Sequence, residues 1–230
     1  MVKENLAKTE ERIKAACERS GRRPDSVTLI AVSKTKPVRL IEEAYEYGIR
    51  EFGENKAQEM KEKYDVLPKN ISWHFIGHLQ TNKIKYVVGR ACLIHSIDSL
   101  HLAEEIDSYC EKKGLDVDVL IEVNVAKEAT KSGINLEETE ELVKSISRLS
   151  HVHIKGLMTI APFVENAENN RMIFRALKDL SVDISRKNID NVSMDILSMG
   201  MTNDYEVAIE EGATHIRVGT AIFGERNIAV

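Results

Sequence analysis

Eight short β-rich runs recur along this chain at intervals long enough to hold a helix, and no other feature limits the fold as much. The runs are "VTLIAVS", "REFG", "SWHFIG", "CLIHSI", "VDVLIEVNV", "VHIKGLMTI", "VSMDILSMG" and "THIRVG", preceded by a charged amphipathic opening helix. Between them, "PVRLIEEAYEYG" closes on Gly48, and "DSLHLAEEIDSYCEKKG" ends in lysines and Gly114. "LEETEELVKSISRLS" and "NDYEVAIEEG" repeat the same start and stop signals. The interval after "SWHFIG" is the weakest helix. Repeated strand–helix units imply parallel strands with right-handed crossovers. Eight of them in 230 residues predict a single α/β domain over residues 1–230, a (β/α)8 barrel with an extra N-terminal helix. Such a barrel takes about 250 residues, which leaves little room for a second domain. The rival is an open doubly wound sheet, because alternation alone does not reveal closure.

Composition narrows the function classes. Thirty-two Lys+Arg against thirty-seven Asp+Glu give a net charge of −5, which argues against a general affinity for nucleic acid or anionic membrane. No apolar run approaches the roughly 18 residues that span a bilayer. The N-terminus lacks a signal-peptide core and carries Glu4, Glu10 and Glu11, so a cytoplasmic monomer is expected. Cys17, Cys92 and Cys110 have no CxxC spacing and read as reduced packing residues.

Barrel active sites gather where strands run into helices, so polar residues at strand ends matter most. In "VTLIAVSKTKP", Ile30, Val32 and Lys34 share one face, and Leu29, Ala31 and Ser33 the other. Lys34 then ends the strand with its amine in the barrel mouth, Lys36 follows in the turn, and Pro37 suits the first helical position. A lysine amine is mostly protonated near its usual pKa of about 10.4. Desolvation or a neighbouring cation such as Lys36 frees it for imine formation. The plainer reading is a solvated strand-end lysine. At the other end of the chain, "SMGMTND" and "RVGTAIFG" follow strands 7 and 8, where barrels often hold phosphate. Gly200 and Gly219 permit close backbone approach, Ser198 and Thr220 supply hydroxyls, and Asn203 with Glu206 resembles a capping box. Arg217, two residues before Gly219, points inward by alternation. Together these features suggest a phosphorylated carbonyl ligand, served either by a sugar-phosphate aldolase or by a pyridoxal 5′-phosphate protein. A guanidinium cannot take up a proton, so against a pyridine nitrogen Arg217 would weaken that cofactor as an electron sink.

"LIAVSKTKP", "FGENKAQE", "WHFIGHLQTNK", "KSG", "GLMTI", "SMGMT" and "RVGTAIFG" resemble the pyridoxal phosphate homeostasis protein family, which is similar to the barrel domain of alanine racemase (fold type III). The resemblance runs from the first strand to Gly224. It implies pyridoxal phosphate held as an imine on Lys34, with the phosphate on Ser198, Gly219 and Thr220 and Arg217 beside the pyridine ring. Asn55 lies near the cofactor, Lys36 is an auxiliary cation, and Lys131 is a loop contact. Met199 and Gly200 adjoin the phosphate loop. His78 departs from relatives with proline in "FIGPLQ", which puts the role of that loop in doubt. The family is thought to bind, store or hand over the cofactor, with apo-enzymes as recipients. The alternatives are a weak racemase or lyase using the same cofactor, and a lysine-imine aldolase without it.

Other residues invite plainer readings. His74 and His78 have helical zinc spacing but straddle a strand end without a clear third ligand, so no metal is expected. His151, His153 and His215 stand at strand starts, the wrong end for chemistry. Glu122 and Asn124 are expected to point into the barrel, as a second layer behind the ligand or as a satisfied polar network. Trp73 and Phe75 pack under helices, "EETEE" is a solvated face, and Met158, Met194, Met199 and Met201 fill the core.

Overall fold

The first and last strands pair, and that closes the sheet. In the computed structural model, which describes residues 1–128 and 132–225, β1 (Thr28–Val32) runs parallel to β8 (His215–Val218). Thr28 lies opposite His215, and Ala31 opposite Val218. Between them stand β2 (Glu51–Glu54), β3 (Ser72–Phe75), β4 (Ala91–Ile97), β5 (Val117–Glu122), β6 (Val152–Met158) and β7 (Val192–Met201), in sequence order around a closed parallel barrel. The open-sheet alternative is therefore excluded.

Each crossover is helical: α2 (Val38–Tyr47), α3 (Ala57–Val66), α4 (Ile84–Val87), α5 (Leu100–Lys113), α6 (Thr139–Ile146), α7 (Arg171–Ser185) and α8 (Tyr205–Glu210). The four-residue α4 is the interval whose helical signal was weakest. Pro37 is the cap of α2 and not its first residue, since its ψ of 152° is still extended. A short α9 (Thr220–Phe223) follows β8, and the long α1 (Val2–Arg19) precedes the barrel. No described helix is long and apolar enough to cross a membrane.

Strand alternation sends side chains to two separate cores. Ala31, Phe52, Trp73, Phe75, Val119, Ile121, Leu197 and Val218 face outward and pack under the helices. Phe52 and Trp73 bring their ring centroids to 5.9 Å. Leu93, Leu120 and Met158, with Ile160 and Ile196, fill a smaller cluster inside the barrel. The next inward positions along the strands carry polar groups, and these build the site.

Candidate functional site

A cavity of about 450 Å³ opens where the strands end, walled by Val32, Lys34, Asn55, Ile76, Arg217 and Gly219. Segments after β6 (Ile160 and Pro162 to Val164), after β7 (Thr202 to Asp204) and Thr220 complete it, with Met201 at the tip of β7. β1 stops at Val32, so Lys34 is a turn residue and not the last of the strand. The turn is nonetheless pinned. Ser33, on the outward face, donates to Glu54 at 2.6 Å. The Lys63 ammonium donates to the Ser33 carbonyl at 2.8 Å and to the Glu54 and Glu59 carboxylates at 2.7 Å each. The Thr35 amide, in a left-handed conformation with φ of 62°, donates to Glu59 at 2.6 Å. Glu54 is completely buried, which raises its pKa despite the attraction of Lys63. A buried ion network under the turn holds the Lys34 backbone on a fixed base.

Lys36 does not join the cavity. Its ammonium donates to the carbonyls of Phe223, Gly224 and Glu225 at 3.3, 2.8 and 2.7 Å, capping the end of α9. The expectation of an auxiliary cation beside Lys34 is corrected: α9 carries carbonyls with no further helical turn to bond, and Lys36 satisfies them.

Arg217 lies at the cavity floor with 4% of its surface exposed. It donates to the Thr159 carbonyl at 2.8 Å and to the Ser198 hydroxyl at 2.5 Å. Ser198 Oγ meets His95 Nδ1 at 2.8 Å, His95 Nε2 meets His74 Nδ1 at 3.0 Å, and His74 Nε2 meets Glu51 at 2.7 Å. Burial pushes the His95 imidazolium well below its usual range, so His95 is neutral. Every link is then satisfied by donation in one direction, from the guanidinium through Ser198, His95 and His74 to the carboxylate of Glu51. Burial also lowers Arg217 to about 10, which leaves it charged at neutral pH.

Three sequence expectations at β7 need correction. Ser198 is fully buried inside the barrel, bonded to Arg217 and His95, and is absent from the cavity wall. Met199 faces outward into the helix-packed core. Gly200 turns toward α8: with φ of 89°, an added Cβ would lie 2.6 Å from the Ala208 Cβ and 2.9 Å from the Tyr205 Cα. The reason is length, because β7 continues to Met201 and the loop starts later than "SMG" suggests. Thr202 and Asn203 line the cavity instead. The capping box is also replaced. Asp204 takes the cap position of α8, but its carboxylate accepts from the Met201 amide at 2.7 Å and from Asn170 at 2.8 Å and from no amide of the helix, while Glu206 pairs with Arg12 and Arg19 of α1.

Gly219, Thr220, Asn55 and Arg217 stand in the wall. A Cβ on Gly219 would come within 3.2 Å of the Val32 carbonyl oxygen, so glycine keeps this approach open. Among the described residues Asn55 Oδ1 is buried without a hydrogen-bond partner, and it is the polar atom here that a ligand donor would satisfy. Thus one wall holds an amine, another holds glycine and threonine at two helix starts, and Val32, Ile76 and Ile160 are apolar between them. That set fits a flat aromatic aldehyde bearing a phosphate.

Glu122 is buried at the inward end of β5, where burial first and then Asp98 push its pKa to about 7. Asn124 bonds the Glu128 backbone through both amide atoms and supports a loop. His78 is exposed, 3.8 Å from Asp98. Lys131 lies outside the described residues. His151 and His153 neighbour Asp116 on the surface at strand starts. Cys17 and Cys110 are buried as expected, but Cys92 is exposed.

Comparison with known proteins bears on this geometry. The family described as "Alanine racemase, N-terminal domain" matches residues 5–227. The pyridoxal phosphate homeostasis protein of Aquifex aeolicus is 48% identical over 224 residues, 97% of this chain and 97% of its own. Its namesake in Escherichia coli K12 is 38% identical over 231 residues, 98% and 97% of the two chains. PipY of Synechococcus elongatus, solved with PLP bound, superposes with a TM-score of 0.82 at 35% identity, over 97% of this chain and 100% of that one. An alanine racemase of Clostridium difficile gives 0.76 at 14% identity, covering 99% of this chain but 57% of its own, a likeness of fold alone.

Proposed function

The chain belongs to the pyridoxal phosphate homeostasis protein family, and from that premise we propose that it binds pyridoxal 5′-phosphate through Lys34 and carries it without dedicated catalytic turnover. The observation that carries this reading is the shared cavity: Lys34, Arg217 and the Gly219–Thr220 turn open onto one space. Bound there, the cofactor supplies an aldehyde that an amine captures reversibly. The residues of this chain do the rest. Lys34 provides the amine on a base stiffened by Glu54 and Lys63. Thr220 and Thr202 offer hydroxyl donors to the anion, in place of the Ser198 that sequence reasoning preferred. Arg217 fills the floor with a group that does not give up its proton at neutral pH.

A carrier is favoured over an enzyme by the titratable groups of the wall. Besides Lys34, the described lining contains Asp204, committed to the Met201 amide and Asn170, and Arg217, which is too basic to act as a proton acceptor. Racemisation needs a base on each face of the substrate carbon. The proposed recipients are apo-enzymes that use the same cofactor, and the proposed setting is a cytoplasmic monomer. The test is reconstitution with pyridoxal phosphate followed by two assays. Visible absorbance of the bound cofactor should appear in the wild type and vanish in Lys34→Ala. A panel of amino acids should show turnover far below the roughly 1 per second of a working enzyme. Turnover at that rate would make the chain an enzyme, and absence of any visible band would remove the cofactor assignment.

A further inference from the structure

The end of the barrel opposite the cavity carries a second group of chemistry-bearing side chains. Glu51 opens β2, His74 stands on β3 and Cys92 near the start of β4. Their carboxylate oxygen, imidazole nitrogen and sulfur lie within 4.8 Å of one another. His74 Nε2 is 2.7 Å from Glu51 Oε2 and 3.7 Å from Cys92 Sγ. A bulge aims the thiol. Trp73 pairs with Ala91 and His74 with Leu93, so Cys92 is the unmatched residue, and its side chain turns to the Trp73 carbonyl and His74.

We propose that Glu51, His74 and Cys92 form a divalent-metal site, suited to Zn²⁺, with solvent as the fourth ligand. Oxygen, nitrogen and sulfur donors are the set that zinc takes, at bond lengths of about 2.0–2.3 Å. A tetrahedron of those bonds needs donor separations of about 3.3–3.6 Å. The imidazole–sulfur edge is already near that, and Glu51 has only to swing outward from its hydrogen bond. Cys92 is exposed and the Glu51 side chain is 33% exposed, so an ion can reach them. The layer behind the ligands is built. His74 Nδ1 faces His95 Nε2 at 3.0 Å, the kind of partner that orients a ligating imidazole.

The proton balance closes. The metal takes the sulfur as thiolate, and the thiol proton goes to solvent. With the metal on Nε2, His74 stays neutral by moving its hydrogen from Nε2 to Nδ1, where it donates to His95 Nε2, the reverse of the direction in the metal-free relay. His95 then carries its own hydrogen on Nδ1, facing Ser198 Oγ at 2.8 Å. The ring of His215 is 6.0 Å from that of His74, and its Nδ1 meets the Thr214 hydroxyl at 3.0 Å, so it remains a neighbour and not a ligand.

The experiment uses the full chain after chelator treatment, titrated with ZnCl₂ in competition with a chromophoric chelator, and separately with CoCl₂. The expected result is one equivalent bound at about 10 μM or tighter, with a near-ultraviolet thiolate-to-cobalt band. Cys92→Ser should abolish the band, while His78→Ala should leave it unchanged. Weaker or non-stoichiometric Zn²⁺ binding by the wild type, or a band that survives Cys92→Ser, would overturn the site. If Cys92→Ser does not fold by circular dichroism, Glu51→Gln takes its place, and undiminished Zn²⁺ affinity in that variant has the same force.

Discussion

Glu122 shows how much a single buried group can set. Its folded pKa of about 7 lies above the ordinary glutamate value, so the native state holds the proton more tightly than the unfolded chain. The stabilising proton is fully present below about pH 4.5 and is lost as pH rises through 7. Glu122→Gln should therefore flatten the stability profile between pH 5 and 8, with a gain of a few kcal/mol at the alkaline end. Urea melts across that range check it, and an unchanged slope would show that Glu122 does not titrate there. Lys36→Met should cost about 1 kcal/mol through the lost cap on α9, yet leave the visible absorbance of the reconstituted protein intact. Loss of that absorbance would return Lys36 to the cofactor site. That Lys34 stands at the barrel mouth was legible in the sequence because it follows directly on an apolar strand, although the structure puts it in the turn after Val32 and not on the strand face. Thr202 and Asn203 were not, because nothing in "SMGMTND" marks where β7 ends. Asn55 was expected only through the family resemblance, and its orphaned oxygen now gives a physical reason.

At the level of elements, the strands and most helices could be read from periodicity and from Gly48 and Gly114, which take the helix ends. What periodicity does not encode is irregularity. The bulge at Cys92 shifts register between β3 and β4 and leaves a supposed packing thiol exposed beside His74. The residue that precedes α8 is Asp204, whose carboxylate accepts from the Met201 amide, and not Asn203 with its expected partner Glu206. Gly200 lies at that same junction. Gly200→Ala meets α8 at 2.6 Å from the Ala208 Cβ and must also hold a φ of 89°. Overpacking of about 1–3 kcal/mol adds to the backbone strain. A thermal melt lowered by several degrees is expected, with weaker cofactor binding because Thr202 and Asn203 move with the strand end. An unaltered melt would mean that β7 and α8 separate easily.

For the whole molecule, alternation could specify eight strands but not their closure, which depends on β1 meeting β8 across nearly the full length of the chain. The opening helix seals that seam. Val2, Leu6, Ile13, Ala16 and Cys17 are buried. Asn5 donates to the Ile222 carbonyl at 2.9 Å, and Arg22 to the carbonyls of Ile209 and Ala213 at 2.7 Å each. The ion pairs of Arg12 and Arg19 with Glu206 and Glu210 are partly exposed, so most of the docking energy is apolar. Burying large apolar side chains contributes about 1.5–3 kcal/mol each. Removing residues 1–20 should therefore lower the melting temperature by about 10 °C or more, and an unchanged melt would detach α1 from the fold's stability. Cofactor capture by this barrel depends on one amine at its mouth, Lys34. The direct measurement is borohydride reduction of the protein loaded with pyridoxal phosphate, followed by mass mapping of the peptides. The mass of the reduced cofactor should sit on Lys34, and Lys34→Ala should carry none. A label on Lys36 or another lysine, or an undiminished label in Lys34→Ala, would contradict it.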